Sequence, residues 1–286
     1  MDEVGIFAFQ IGYSFAIFIL ISLGLAVIFG MMRVINLAQG EFIMLGAYVC
    51  LFATKAGIDL WLAMLLSAVA VGIFGAVVER LLIRWLYGRI IDTLLATWGL
   101  SMLLVGGVTT AFGPQGEGVE SGLSAVQMGI YRISQYDLVL IAIAVALLIG
   151  VTCLWRYTRF GLIVRGTMQN AQMAGSLGVN TGLVYTATFA FGSAITGLAG
   201  AAIAPIAGIA PTMGIIYVAK AFIAVISGGH FPLMGTMTAS ALFGTIDGTV
   251  GFITTTVIAQ ITVLLSAILL LQLLPLGITG RFKKGF

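Results

Sequence analysis

The sequence predicts an all-α, polytopic integral membrane protein, and three observations carry that expectation. Of its 286 residues, 60% are hydrophobic and only 8% are charged, against roughly a quarter charged in an ordinary soluble domain. Uncharged apolar runs recur along the chain: Val4 to Met32, Leu60 to Val78, Thr93 to Gly116, Leu138 to Trp155, Leu183 to Ala219 and Gly248 to Gly280. Most reach the roughly 20 residues that cross a bilayer as a helix, and the last two are long enough to turn and return. Lys and Arg gather in short stretches between these runs, the pattern of loops held on the cytoplasmic side.

The basic stretches set the order of crossings. Residues 79–92 carry Arg80, Arg84 and Arg89, residues 156–165 carry Arg156, Arg159 and Arg165, and the tail carries Arg281, Lys283 and Lys284, so all three are assigned inside. The 113–137 loop has only Arg132 against Glu117, Glu120 and Asp137, and it is assigned outside with the acidic N-terminus. Five crossings then bring residue 156 inside, near 8–31, 38–54, 60–80, 93–112 and 138–155. The stretch from Leu183 to Gly280 must cross an even number of times, with spans near 183–204, 213–228, 233–250 and 255–274. This makes about nine transmembrane helices, with eight and ten as alternatives, because Pro205, Pro211, Pro232 and the Gly228-Gly229 pair can break a helix without reversing it. The first run lacks a basic leader and a small-residue cleavage site, so it is read as a retained span.

Glycine is abundant, at 38 residues, as expected where membrane helices pack through small side chains. Cys50 and Cys153 both fall in apolar runs and are read as buried small hydrophobes rather than a disulfide or metal pair. A net charge of +3 is too small to suggest nucleic acid.

Three segments could carry chemistry. The first is Arg33 to Tyr48, where Asn36, Gln39, Gly40 and Glu41 interrupt apolar sequence. A polar break at membrane depth survives when it is buried in protein or lines a watery path. On a helix Asn36, Gln39 and Gly40 would share a face, Gly40 admitting a neighbouring backbone; the amides either line a path or bond between helices. Arg33 and Glu41 are read as interfacial charges. Thr97, Trp98 and Ser101 in the fourth span face the same choice between path and packing.

The second segment, Thr158 to Gly182, is the longest polar passage assigned to the inner side. Its helix-compatible run Met168–Leu177 carries Ala171, Ala174 and Gly175, a smooth surface suited to a protein partner, and it ends at Gly178. Scarce bulky anchors argue against a helix resting on lipid headgroups. The third segment, Lys220 to Gly235, holds the single histidine, His230, which either caps a helix break or lines the path. Glycine-broken polar segments at 36–46 and 228–235, one in each half, loosely match the paired breaks of midplane transport paths.

Several chemistries are missing. No Lys is followed by Ser or Thr, so no P-loop exists and this chain does not hydrolyse ATP through one. HExxH, GxSxG and paired-cysteine metal patterns are absent too, so no catalytic residue, metal or cofactor is expected.

GLAVIFGMMRVINLAQGEFIMLGAY resembles the first-half signature of permease subunits from bacterial ABC importers of branched-chain amino acids and urea. Thr158, Gly161, Arg165, Asn170, Ala174 and Gly178-Val179-Asn180 resemble that family's cytoplasmic coupling segment, and LPLGITGR resembles its C-terminal ending. The likeness covers essentially the whole chain. Tyr87 to Leu104, YGRIIDTLLATWGLSMLL, looks more like the urea type. Two positions depart from the family pattern: Gln39 stands where the family usually has His, and His230-Phe231-Pro232 follows the glycine pair where another Gly is usual.

The resemblance implies one permease domain over 1–286 with a coupling segment at 156–182, in the inner membrane. It implies three kinds of partner besides the lipid: a second related permease, two cytoplasmic ATP-binding subunits and a periplasmic solute-binding protein. The expected solute is urea or a related small amide, because few charges are embedded; the alternatives are a branched-chain amino acid, and a stand-alone secondary transporter or channel using Asp247 or Glu41.

Overall fold

Residues 2–32, 34–123, 125–128, 131–229 and 231–280 are described in a computed structural model. Arg33, His230 and the basic tail of Arg281, Lys283 and Lys284 lie outside the described residues. The helices are α1 (Asp2–Met32), α2 (Gln39–Lys55), α3 (Leu60–Leu81), α4 (Ile90–Phe112), α5 (Gln135–Tyr157), α6 (Arg159–Gln169), α7 (Ala171–Ser176), α8 (Thr181–Ile203), α9 (Met213–Gly228), α10 (Pro232–Ile253) and α11 (Thr256–Leu273). A 3-10 turn, Ile83–Leu86, precedes α4. Strands β1 (Ala125–Met128) and β2 (Tyr131–Ser134) form an antiparallel hairpin inside a stretch that the sequence presents only as polar loop.

A helix stands at each of the nine segments expected to cross. Among the described residues, however, six are long and apolar enough to do so: α1, α3, α4, α5, α8 and α11. The α9–α10 pair, bent by 116° at its break, makes a seventh if counted as one span. At 17 residues α2 is short for a full crossing.

Local chemistry explains the helix starts. Asp59, Thr158, Asn170, Asn180 and Thr255 each precede a helix and accept a backbone N–H of its first turn, which satisfies donors that the helix leaves unpaired. Gly178, at φ +84°, stops the chain after α7 in a conformation that side chains disfavour.

The chain divides into two compact units. One contains the described residues of 23–120 and 149–219. Its centre is α8, against which α2 and α3 pack most closely. That approach depends on absent side chains: a Cβ on Gly46 would strike the Gly197 backbone, and one on Gly200 would strike the Ile43 carbonyl. Phe42 fills the remaining gap, edge-on to Phe74 and Phe189. Cys50 is buried here, whereas Cys153 on α5 is exposed, contrary to the expectation for both cysteines.

The other unit contains the described residues of 1–22, 121–148 and 220–286. Its core joins Phe18, Ala224, Ala239, Phe243, Val263 and Ala267. Gly228 and Gly235 meet backbone to backbone across the α9–α10 break. Thr279 fastens that break, donating to the Gly228 carbonyl at 2.5 Å and accepting from Phe231 N at 3.1 Å.

Candidate functional site

The polar break after α1 folds into a buried hydrogen-bonded cluster. Asn36 stands in the turn before α2 rather than on the helix, and its Oδ1 accepts from Ala38 N at 3.1 Å. Its Nδ2 lies 3.5 Å from Gln39 Oε1, and Gln39 Nε2 donates to Thr196 Oγ1 at 2.6 Å. Thr97 Oγ1 accepts from Leu37 N at 3.1 Å and donates back along α4 to Thr93 O at 2.9 Å. Gly40 lies against Gly214, backbone to backbone. Thus Asn36, Gln39, Gly40 and Thr97 come together, all buried. Trp98 is instead exposed, and Ser101 reaches the Glu41 carboxylate. Glu41, expected as an interfacial rather than a buried charge, is buried in the protein: it is 2% exposed, and its Oε2 has no hydrogen-bond partner.

In the same unit, Glu79 is a fully buried carboxylate. Tyr87 Oη donates to its Oε1 at 2.5 Å, and Thr186 Oγ1 donates to its Oε2 at 2.6 Å. Burial, and then the hydrogen bond to Glu79, raise the Tyr87 phenol above its ordinary range, so it stays a donor. Beside this pair opens a cavity of about 520 Å³ lined by Met31, Met32, Tyr87, Met168, Gln169 and Tyr185.

The segment from Thr158 to Gly178 forms two short helices, α6 and α7, where the sequence suggests one. Thr158 Oγ1 caps α6 at Gly161 N, 3.2 Å away, and a Cβ on Gly161 would strike the Trp155 backbone. Arg165 Nε donates back to Gly161 O at 3.2 Å. Asn170 ends α6 and caps α7 through Met173 N at 2.9 Å. Four of the six expected coupling residues, Thr158, Gly161, Asn170 and Gly178, therefore have a local structural task in the helix starts and stops, and Arg165 bonds within α6. Ala174, the sixth, is only 8% exposed, so it does not present the outward surface. That surface is made by Met173 and Leu177, 62% and 79% exposed and one helical turn apart.

In the other unit the interruption between α9 and α10 contains His230, which lies outside the described residues. In the same unit Lys220 on α9 and Asp247 on α10, far apart in sequence, meet at 3.8 Å. Thr279, whose role at the break is described above, carries no local sequence signal beyond its place in GITGR. Among the described residues no group of His, Cys, Asp and Glu is arranged to hold a metal.

Long apolar helices with a polar break buried among them define a multi-pass membrane protein. A family model described as "Branched-chain amino acid transport system / permease component" matches residues 7–274, and the chain belongs to that family. It is 27% identical over 284 residues to the high-affinity branched-chain amino acid transport system permease protein LivH of Escherichia coli (strain K12), covering 92% of this chain and 91% of that one. It is 26% identical over 280 residues to BraD, of the same description, from Pseudomonas aeruginosa, with the same coverage. The probable branched-chain amino acid transport permease protein LivH of Methanocaldococcus jannaschii is 24% identical over 285 residues, covering 92% and 88%. No solved structure matches.

Proposed function

We propose that this chain is the membrane-embedded permease subunit of an ATP-driven importer of branched-chain amino acids. The observation that carries the reading is the family match over residues 7–274, joined by relatives named for that solute over nearly their whole length. It displaces urea, which rested on the likeness of Tyr87 to Leu104. ATP would be bound and hydrolysed by two separate cytoplasmic subunits, with a second permease beside this one and a periplasmic protein delivering solute. Hydrolysis in those partners would bias outward-open against inward-open states, with α6 and α7 as the contact that transmits it. Met173 and Leu177 supply the apolar docking surface on α7.

Nine membrane-embedded helices, with α2 and the bent α9–α10 pair included, suit this role, with the N-terminus periplasmic and the C-terminus cytoplasmic. Connections assigned to one side do meet one another. On the outer side, Lys55 after α2 pairs with Glu117 after α4, which bridges to Ile209 after α8. On the inner side, the cavity gathers the end of α1, the stretch before α4, the end of α6 and the start of α8. Gly229, between α9 and α10, lies against Leu276 and Gly277, after α11. The path candidates remain Asn36, Gln39, Gly40, Thr97, Trp98, Ser101 and His230.

The test is uptake of labelled leucine into vesicles holding the complete reconstituted importer, with urea as competitor. ATP-dependent leucine uptake that urea leaves unchanged supports the proposal. Urea uptake insensitive to leucine would replace the solute, and uptake by this chain without ATPases would establish a stand-alone transporter instead.

A further inference from the structure

Lys220 and Asp247 are the only Lys, Arg, Asp or Glu residues between 183 and 280. One is a cation on α9 and the other an anion on α10, and the unit they share brings them to 3.8 Å. Lys220 Nζ also stands 5.5 Å from the centre of the buried Phe18 ring. Asp247 sits between Gly244 and Gly248, which lie against the Phe15 and Ile11 backbone of α1. The pair is therefore set where α1, α9 and α10 converge.

Two details distinguish it from a locked structural bridge. Its separation exceeds hydrogen-bonding distance, and Asp247 Oδ1 has no hydrogen-bond donor. Each side chain also keeps 17% of its surface exposed, so the pair can be reached. Two opposite charges in apolar helices lose hydration that an apolar pair of the same size would not lose, so stability alone gives no reason for them. The lost hydration is a reason to look for a ligand that completes them.

We propose that Lys220 and Asp247 form a recognition pair for a zwitterionic α-amino acid, Lys220 engaging its carboxylate and Asp247 its ammonium. The solute exchanges one loose ion pair for two, and the site stays neutral throughout. This rests on the amino acid importer reading above. It also removes the argument for urea, since the embedded charges that a zwitterion needs are present as a matched pair.

The test uses the complete reconstituted importer, comparing wild type with the Lys220→Met/Asp247→Asn double variant. Leucine uptake and ATP hydrolysis stimulated by the solute-binding protein are measured together. We expect assembly and stimulated hydrolysis to persist while leucine uptake falls about tenfold or more, the usual scale for losing charge-assisted hydrogen bonds. Wild-type uptake by the double variant would overturn the proposal, because a purely structural pair tolerates joint neutralisation. Should that variant not assemble, Asp247→Glu decides: it keeps the ion pair but moves the carboxylate, so reduced uptake by an assembled complex supports recognition and unchanged uptake refutes it. Failure of the wild-type importer itself to take up leucine would refute the underlying reading, and is seen before any substitution is made.

Discussion

Gln39 donates its side-chain amide to Thr196 at 2.6 Å, tying the start of α2 to the middle of α8. Thr196 passes the chain on to the Gly192 carbonyl at 2.8 Å. At the polar break α2 and α8 are thus joined by a side-chain hydrogen bond out of water. A Gln39→Leu, Thr196→Ala double-mutant cycle should give a coupling energy of about 0.6 to 1.7 kcal/mol, the range measured between membrane helices. Thermal unfolding of the four proteins measures it; strictly additive effects would show that the bond contributes nothing.

Gly46 and Gly99 should respond oppositely to the same methyl group. Gly46→Ala drives a Cβ into the Gly197 backbone, whereas Gly99 has open space around it. Backbone cannot yield as a flexible side chain does, so Gly46→Ala should cost about 1 to 3 kcal/mol. Gly99→Ala should leave stability equal or slightly raised, since alanine is the better helix former. Matched melting curves in one detergent would compare them, and an unchanged Gly46→Ala would deny the close α2–α8 approach.

Tyr87→Phe removes one of the two hydroxyls that Glu79 accepts from, leaving a buried carboxylate oxygen underserved. The loss should be about 1 to 3 kcal/mol near neutral pH. The wild type should also weaken in alkali relative to this variant. Above the ordinary tyrosine value of 10.0 the unfolded chain releases the phenolic proton while the folded protein holds it, so stability falls as pH rises. Unfolding of both proteins from pH about 9 upward reads this difference; parallel curves would contradict it.

For the docking surface, Met173→Asp combined with Leu177→Asp should leave the permease folded, because both side chains are exposed, and exposed substitutions usually stay within about 0.5 kcal/mol. ATPase co-purification should be lost, with ATP-driven uptake abolished. Full uptake by that variant would move the docking site elsewhere. Ala174→Arg is a poorer probe, since the buried position would confound docking with folding.

Much of the helical order was legible in the sequence because lipid imposes a strong constraint: spans must be apolar, and basic loops mark their ends. Periodicity is a weaker guide to facing, and Ala174 and Glu41 illustrate why. Small residues suggested an outward surface around Ala174, yet a small side chain equally suits the inward side of a helix packed tightly on its neighbour. Glu41 looked interfacial from its place beside the break, whereas the turn at 34–38 carries it inside. Lys220 and Asp247 were each visible as isolated polar residues. Their pairing depends on how α9 and α10 come together, which no local window contains, although their equal and opposite charge in an otherwise neutral stretch was the available clue. The β1–β2 pairing escaped notice because both strands sit in a segment that reads as polar loop throughout.

Thr279 closes the α9–α10 break from 51 residues downstream of Gly228. During synthesis the break therefore emerges from the ribosome with its carbonyl uncapped, and it waits for the whole of α11 before the fastening residue exists. A message truncated between Leu274 and Thr279 would keep the α11 core residues Val263 and Ala267 and leave this corner unfastened. Quality control that senses exposed backbone in the membrane would then register the missing end as a local defect at the Gly228 carbonyl.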